Sequence, residues 1–196
     1  MADVVVSCKC GTLKGVLHDC STKTGSHVLC YCKDCQAGAH HLNATHVLDE
    51  FGGTDIFQTV PSQVEITQGQ DKLACFRLSP KGLVRWYAAC CNTPMFNTLD
   101  SPKLCFVGIA TAVIEGEEYK PLIGPLIAVN SAENAHGAPD DFKSYGYMKA
   151  GLHILKRNFA AKLRGNRTSL FFDGDGSPIV TPRILTLEER KAATPD

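Results

Sequence analysis

Apolar positions recur on two different periods along this chain, and the change from one to the other divides it. Up to about residue 120 the runs are short and suit strands. Val4-Val5-Val6 leads into a cysteine pair, Leu13 to Leu17 follows the turn at Gly11, and His27-Val28-Leu29 runs into Cys30. Val64-Glu65-Ile66-Thr67 alternates apolar and polar side chains; with Leu73 to Leu78 beyond the turn Gly69-Gln70-Asp71-Lys72, it predicts a hairpin. Leu83 to Ala88 reads as a strand and Leu104 to Ile114 as a long buried one. Gln36 to His46 predicts a short helix or turn, and Phe51-Gly52-Gly53-Thr54-Asp55 a loop.

Beyond residue 120 the period lengthens. Pro121, Gly124 and Pro125 break the pattern, and Asn134 to Asp141 is polar. Tyr147, Leu152, Leu155 and Phe159 then recur near helical spacing, with Lys149, Lys156, Arg157 and Lys162 on other faces. This predicts an amphipathic helix over 145–164, stopped near Gly165. Ser169 to Phe172 and Ile179 to Leu185 predict a hairpin around Asp173-Gly174-Asp175-Gly176, and Thr186-Leu187-Glu188-Glu189 opens a short terminal helix. The expected fold is mainly β: a cysteine-rich zinc-binding domain over 1–120 and a C-terminal α/β extension over 121–196.

Charge adds little direction. The 196 residues hold 20 Lys and Arg against 20 Asp and Glu, a formal net charge of zero. That balance gives no general attraction to nucleic acid or to a membrane, so neither is an expected partner, and the lysines of the predicted helix read as a solvated face. The N-terminus lacks a basic segment followed by a long apolar run, and no stretch approaches the roughly 18 apolar residues of a membrane span. The expected compartment is the cytoplasm, where cysteines stay thiols or metal thiolates.

Ten cysteines then change the picture. Cys8 and Cys10 form a Cys-x-Cys pair, Cys30, Cys32 and Cys35 a Cys-x-Cys-x-x-Cys group, and Cys90 and Cys91 follow a strand. A Cys-x-x-Cys turn folds its sulfurs toward one point, and zinc takes thiolates in a tetrahedron at about 2.3 Å. Cys20, in a polar stretch, and Cys75 and Cys105, in apolar runs, have no partner at metal spacing and read as ordinary residues. Asp173 to Ser177 lacks the later ligands of a calcium loop and reads as a turn.

The order Cys8-Lys9-Cys10-Gly11, then Cys30-Tyr31-Cys32-Lys33-Asp34-Cys35, then Arg85-Trp86-Tyr87 leading to Cys91-Asn92-Thr93-Pro94, resembles the glutathione-dependent formaldehyde-activating enzyme family, whose superfamily includes centromere protein V. The match covers residues 1–115. The resemblance implies a β-tent fold and two zinc sites, one structural and one, at Cys30, Cys32 and Cys35, associated with glutathione adduct chemistry. Two positions depart from the family: Ala88 stands at a usual cysteine, with Cys90 added before Cys91, and Asn92 replaces a glycine. Cys91 is the better candidate for the structural site beside Cys8 and Cys10. Cys90 joins it only if the chain turns sharply there, because neighbours on a strand point to opposite faces.

A closed site is fully ligated by protein, whereas three thiolates leave a fourth position for an incoming thiol. The functional expectation is therefore a zinc-dependent carbon–sulfur lyase or synthase acting on thiol–aldehyde adducts, with Lys33, His40, His41 and Arg85 as candidate donors near the site. Its alternatives are a non-catalytic zinc-stabilised module and a redox-sensing thiol cluster. The partner is then a small-molecule thiol or its adduct, and the extension either covers the pocket or forms a homodimer contact.

Overall fold

A computed structural model describes residues 2–163 and 169–195. The protein is mainly β, with two sheets and a few helices. The strands are β1 (Ala2–Ser7), β2 (Lys14–Cys20), β3 (Ser26–Cys30), β4 (Thr54–Thr59), β5 (Val64–Gln68), β6 (Leu73–Arg77), β7 (Val84–Ala88), β8 (Thr93–Thr98), β9 (Val107–Ala110), β10 (Ala128–Asn130) and β11 (Arg183–Ile184). The α-helices are α1 (Lys33–His41), α2 (Tyr119–Ile123), α3 (Tyr147–Leu163) and α4 (Leu187–Ala193). One sheet has the order β1-β2-β5, and the other β10-β3-β4-β9-β8-β7-β6-β11.

Between the sheets lies a core built from Leu17, Phe57, Trp86, Met95, Phe96 and Ile109. The Trp86 indole N–H donates to Thr98 Oγ1 at 2.9 Å, which satisfies its one polar atom inside that core. Phe171, from the chain beyond residue 120, completes the cluster, with ring centroids 5.1 Å from Trp86 and 5.4 Å from Phe96. The same part of the chain supplies both outer strands of the larger sheet: β10 runs parallel to β3, and β11 parallel to β6.

Several expected elements take a different form. Strands β5 and β6 do not form a hairpin: Gly69 turns left-handed (φ 71°), a 3-10 turn over Gln70–Lys72 follows, and the two strands enter different sheets. A Cβ on Gly69 would lie 2.3 Å from the Thr12 carbonyl oxygen, so this redirection needs glycine. The run Leu104 to Ile114 yields only the four residues of β9 before a 3-10 turn at Thr111–Val113. Strand β4 begins at Thr54, inside the segment expected to be a loop. Phe172 and Pro178 form a single antiparallel bridge, but Arg183 and Ile184 leave that turn to pair with β6. Cys20 ends β2 inside the core rather than in a polar loop.

Both C-terminal helices form where expected, although the expected stop at Gly165 lies outside the described residues. A reciprocal cap starts α4: Thr186 Oγ1 accepts from the Glu189 N–H at 3.1 Å, and Glu189 Oε2 accepts from the Thr186 N–H at 2.9 Å. Helix α4 docks on α1 through Arg190 and Asp34, 3.1 Å apart, and the Lys33 ammonium donates to the Pro195 carbonyl at 3.0 Å. Helix α3 is inverted relative to a usual surface helix. It buries Ala150, Asn158 and Ala161 and leaves Met148, Leu152, Leu155 and Phe159 in solvent.

Candidate metal centres

Seven of the ten cysteines gather into two groups. The first joins two turns that are far apart in sequence. After β1 the chain turns over Cys8 to Leu13, with the Gly11 N–H donating to the Cys8 carbonyl at 2.8 Å and Gly11 left-handed (φ 73°). After β7 it turns over Ala89 to Asn92, with the Cys91 N–H on the Ala88 carbonyl at 3.2 Å and Asn92 left-handed (φ 56°). Asn tolerates that region, which is why the second turn works without glycine. The Lys9 N–H donates to Thr93 Oγ1 at 3.1 Å and holds the two turns together.

The sulfurs of Cys8, Cys10, Cys90 and Cys91 consequently lie within 4.8 Å of one another. Cys8 to Cys10 is 3.5 Å, Cys8 to Cys90 3.7 Å, Cys10 to Cys90 3.4 Å and Cys90 to Cys91 3.9 Å. Four thiolates on one zinc at about 2.3 Å would sit about 3.8 Å apart along each tetrahedral edge. The donor set and its spacing thus fit a divalent metal held by protein alone. Cys90 is brought in by the sharp turn at 89–92, and Cys91 stands beside it. Ala88, where the resemblance leads to the expectation of a cysteine, is fully buried opposite Leu73 and Thr93. The Leu13 N–H points at Cys8 Sγ at 3.3 Å, an electrostatic support for thiolate charge. Hydrogen bonding with the Thr12 hydroxyl and backbone, with further contacts to Cys90 and Cys91, lowers the Cys10 thiol to about 6.

The second group forms where β3 meets α1. Cys30 ends the strand, Cys32 is the extended residue before the helix, and Cys35 lies in its first turn, with its N–H on the Cys32 carbonyl at 2.9 Å. All three sulfurs lie within 4.8 Å, and Cys30 to Cys35 is 3.8 Å. The spacing again matches one edge of a thiolate tetrahedron, with three donors instead of four. Hydrogen bonding with the Cys30 and Cys32 thiols holds Cys35 well below the usual thiol range, with help from the Arg85 guanidinium, while contacts with Cys32 and Cys35 and burial push Cys30 up. The N-terminal end of α1 adds favourable dipole there.

Arg85, on β7, is the donor candidate that the structure places at this group. It is only 8% exposed, and no carboxylate among the described residues pairs with it. Its neighbours are Cys35 and Asn97 Oδ1, the latter 3.4 Å from Nη1. A buried cation without a counter-charge is strongly unfavourable, so the thiolates are its electrostatic complement. Gly38 leaves room for it: a Cβ there would meet Arg85 Nη1 at 3.2 Å. The other candidates are elsewhere. Lys33 reaches Pro195, His41 packs on Phe76 with ring centroids 4.8 Å apart, and His40 is exposed.

Beside Cys35 is a cavity of about 30 Å³ lined by Gly38, Thr54, Arg85, Met95 and Asn97, room for about two waters. Neighbouring contacts fix the cysteine loop from behind. Gln36 Nε2 donates to the Tyr31 carbonyl at 2.9 Å and the Asn134 carbonyl at 3.0 Å, and the Tyr31 hydroxyl donates to Asp49 at 2.7 Å. A Cβ on Gly53 would come within 2.6 Å of the Tyr31 ring. The order of residues gave no signal for Gln36, Asn97 or Asp49, because each acts through contacts made only in the folded chain. Cys20, Cys75 and Cys105 lie outside both groups; burial lifts the Cys20 thiol to about 11 and the Cys75 thiol to about 12.

These features define a mainly β protein with two cysteine groups, each able to hold a metal ion. The chain belongs to the Family of unknown function (DUF6151), whose model matches residues 1–180. No curated protein matches it. Among solved structures it is similar to a Rhodobacter sphaeroides protein at 13% identity, over 65% of this chain and 99% of that one, with a TM-score of 0.43. No helix among the described residues is long and apolar enough to cross a membrane.

Proposed function

We propose that this protein is a zinc-dependent carbon–sulfur lyase or synthase, acting on adducts of a glutathione-type thiol with a small aldehyde. The observation that carries this reading is the asymmetry of the two sulfur groups. One offers four thiols, a complete tetrahedron; the other offers three, next to a buried arginine and a small cavity. The first suits a structural ion and the second an ion with one position left for an exogenous thiol. Zinc at the trio would supply the positive charge that lowers the pKa of such a thiol.

The chain's own residues do the rest. Cys30, Cys32 and Cys35 hold the ion, and Arg85 offsets the surplus negative charge of three thiolates. Thr54 and Asn97 supply polar contacts in a cavity that accepts a carbonyl compound of about two heavy atoms, the size of formaldehyde. In the synthetic direction the thiolate sulfur bonds to the carbonyl carbon, the carbon–oxygen π pair moves to oxygen, and the thiol's proton ends on that oxygen. The lyase direction reverses each change, so no oxidant or reductant is needed. The four-sulfur group ties the turn after β1 to the turn after β7 and serves folding.

A second reading, a zinc-stabilised module without catalysis, draws on the burial of Cys30 and Cys35, each 8% exposed. Metal analysis of wild type, Cys10→Ser and Cys35→Ser, with carbon-13 exchange spectroscopy of formaldehyde and glutathione, separates the two. The enzyme reading expects two zinc ions per chain, one lost in each variant, and accelerated adduct exchange abolished by Cys35→Ser. Two tightly held ions with no acceleration would leave the module reading standing.

A further inference from the structure

The apolar stripe of α3 faces solvent, and its chemistry says what it meets. Met148, Leu152, Leu155, Phe159 and Leu163 are between 52% and 75% exposed. Successive members are three or four residues apart, so they form one line about 22 Å long at 1.5 Å per residue. Lys149 and Lys156 border the line on one side and Lys162 on the other, all exposed and without an ion pair among the described residues. The helix contains no aspartate or glutamate. On the helix itself the exposed apolar strip is edged only by cations, in a chain whose net charge is zero, although Lys162 also lines a cleft with Asp173 and Asp175.

The opposite face is pinned to the protein. Ala150 packs with Val28, Cys30 and Ile56. Asn158 Oδ1 accepts from the Cys105 N–H at 2.8 Å, and Arg157 Nη1 donates to Ser26 Oγ at 2.8 Å. Turning the stripe inward would break these contacts, so its exposure is built into the fold.

We propose that α3 seats this protein on the surface of an anionic lipid bilayer, lying in the plane of the interface. The five apolar side chains enter the headgroup–acyl boundary, and the lysines reach up to the phosphates. A second copy of the chain fits this face poorly: two stripes in contact would gather six lysines and no carboxylate from the helices. A groove in an acidic protein fits poorly as well, because a groove closes around a helix and α3 is half embedded in its own body. A flat, negatively charged, apolar-backed surface meets neither obstacle. The inference concerns the outward face of a helix whose inner face packs near Cys30, and it does not depend on the function of the cysteine groups.

The test is co-sedimentation of the full chain with vesicles of phosphatidylcholine alone and of phosphatidylcholine with about 30 mol % phosphatidylserine. The protein pellets with the anionic vesicles, stays in solution with the neutral ones, and is released as salt rises from about 0.1 M to about 0.5 M. Leu155→Gln with Phe159→Gln lowers the bound fraction about tenfold or more, and Lys149→Gln with Lys156→Gln removes the preference for anionic lipid. Both variants change only exposed side chains and keep the wild-type melting temperature and metal content. Absence of binding to anionic vesicles would overturn the proposal. So would binding that survives both variants, or self-association in sedimentation equilibrium that Leu155→Gln with Phe159→Gln abolishes.

Discussion

The two cysteine groups use the same ligand chemistry and differ in what surrounds it. The four-sulfur group lies where two surface turns meet. Its residues run from buried Cys8 to exposed Cys10 and Cys90, and its polar support comes from backbone N–H groups and threonine hydroxyls. The three-sulfur group lies at a strand-to-helix junction, with a guanidinium and a cavity beside it. Complete coordination joins remote parts of the chain, and its net negative charge is met by backbone N–H groups, threonine hydroxyls and solvent. Incomplete coordination keeps a neighbouring cation and an adjacent space. Two groups of similar spacing thus differ in donor number, in the neighbouring cation and in free volume, and the proposed division of roles rests on those differences.

The largest effect expected from this comparison is on stability. Cys10→Ser removes one of four ligands that cross-link residues about 80 positions apart, which forfeits several kcal/mol of metal-coupled folding energy and lowers Tm by about 10 °C or more. Cys35→Ser lowers it by less than half as much. Scanning calorimetry of the two variants checks this, and the reverse order would exchange the assigned roles.

Arg85→Met should come next, because deleting the cation leaves thiolate charge uncompensated in a buried place, a loss of about 3 kcal/mol. The expected readout is metal affinity at the trio reduced about 10- to 100-fold with the four-sulfur group unaffected, and partial recovery in Arg85→Lys. Competition with a chromogenic chelator measures both. Equal weakening at the two groups would show that Arg85 acts through the fold as a whole.

A smaller contrast appears in thiol reactivity after chelation. Cys10, exposed and held near 6, should react with iodoacetamide about tenfold faster than Cys30, which is buried and shifted up. Peptide mass mapping over time tests the order.

The smallest expected effect is a pH dependence belonging to neither group. Burial works against charging His27, yet its hydrogen bonds to Asp55 Oδ1 and the Gly124 carbonyl, both at 2.7 Å, raise its pKa overall. A group whose folded pKa lies above the unfolded value stabilises the fold below about 6.5 and loses that contribution as pH rises through the folded value. His27→Gln should flatten that part of the stability curve while leaving metal content at both groups intact. A change in metal content would couple this ion pair to the sites.

Much of this arrangement was legible in the sequence because it rests on local chemistry. The spacing of Cys30, Cys32 and Cys35 fixes a turn, the capping residues Thr186 and Glu189 fix a helix start, and the helical period of α3 fixes its existence. Which way α3 faces was not legible, since the orientation follows from Ala150, Ala161 and Asn158 fitting the body better than the larger apolar side chains do. The partition of β5 and β6 into separate sheets was hidden for a similar reason: it depends on how closely Gly69 approaches Thr12. Convergence of Cys90 with Cys91 comes in a turn that ends on a left-handed Asn92, a conformation the sequence permitted without demanding.

Both rims of the eight-stranded sheet come from chain that leaves the ribosome after all seven grouped cysteines have emerged. Until β10 and β11 arrive, β3 and β6 present bare hydrogen-bonding edges to any other nascent chain. A protein cut after residue 120 would keep every one of those sulfurs and yet be prone to clump edge to edge, so the later segment acts as a guard on the earlier one.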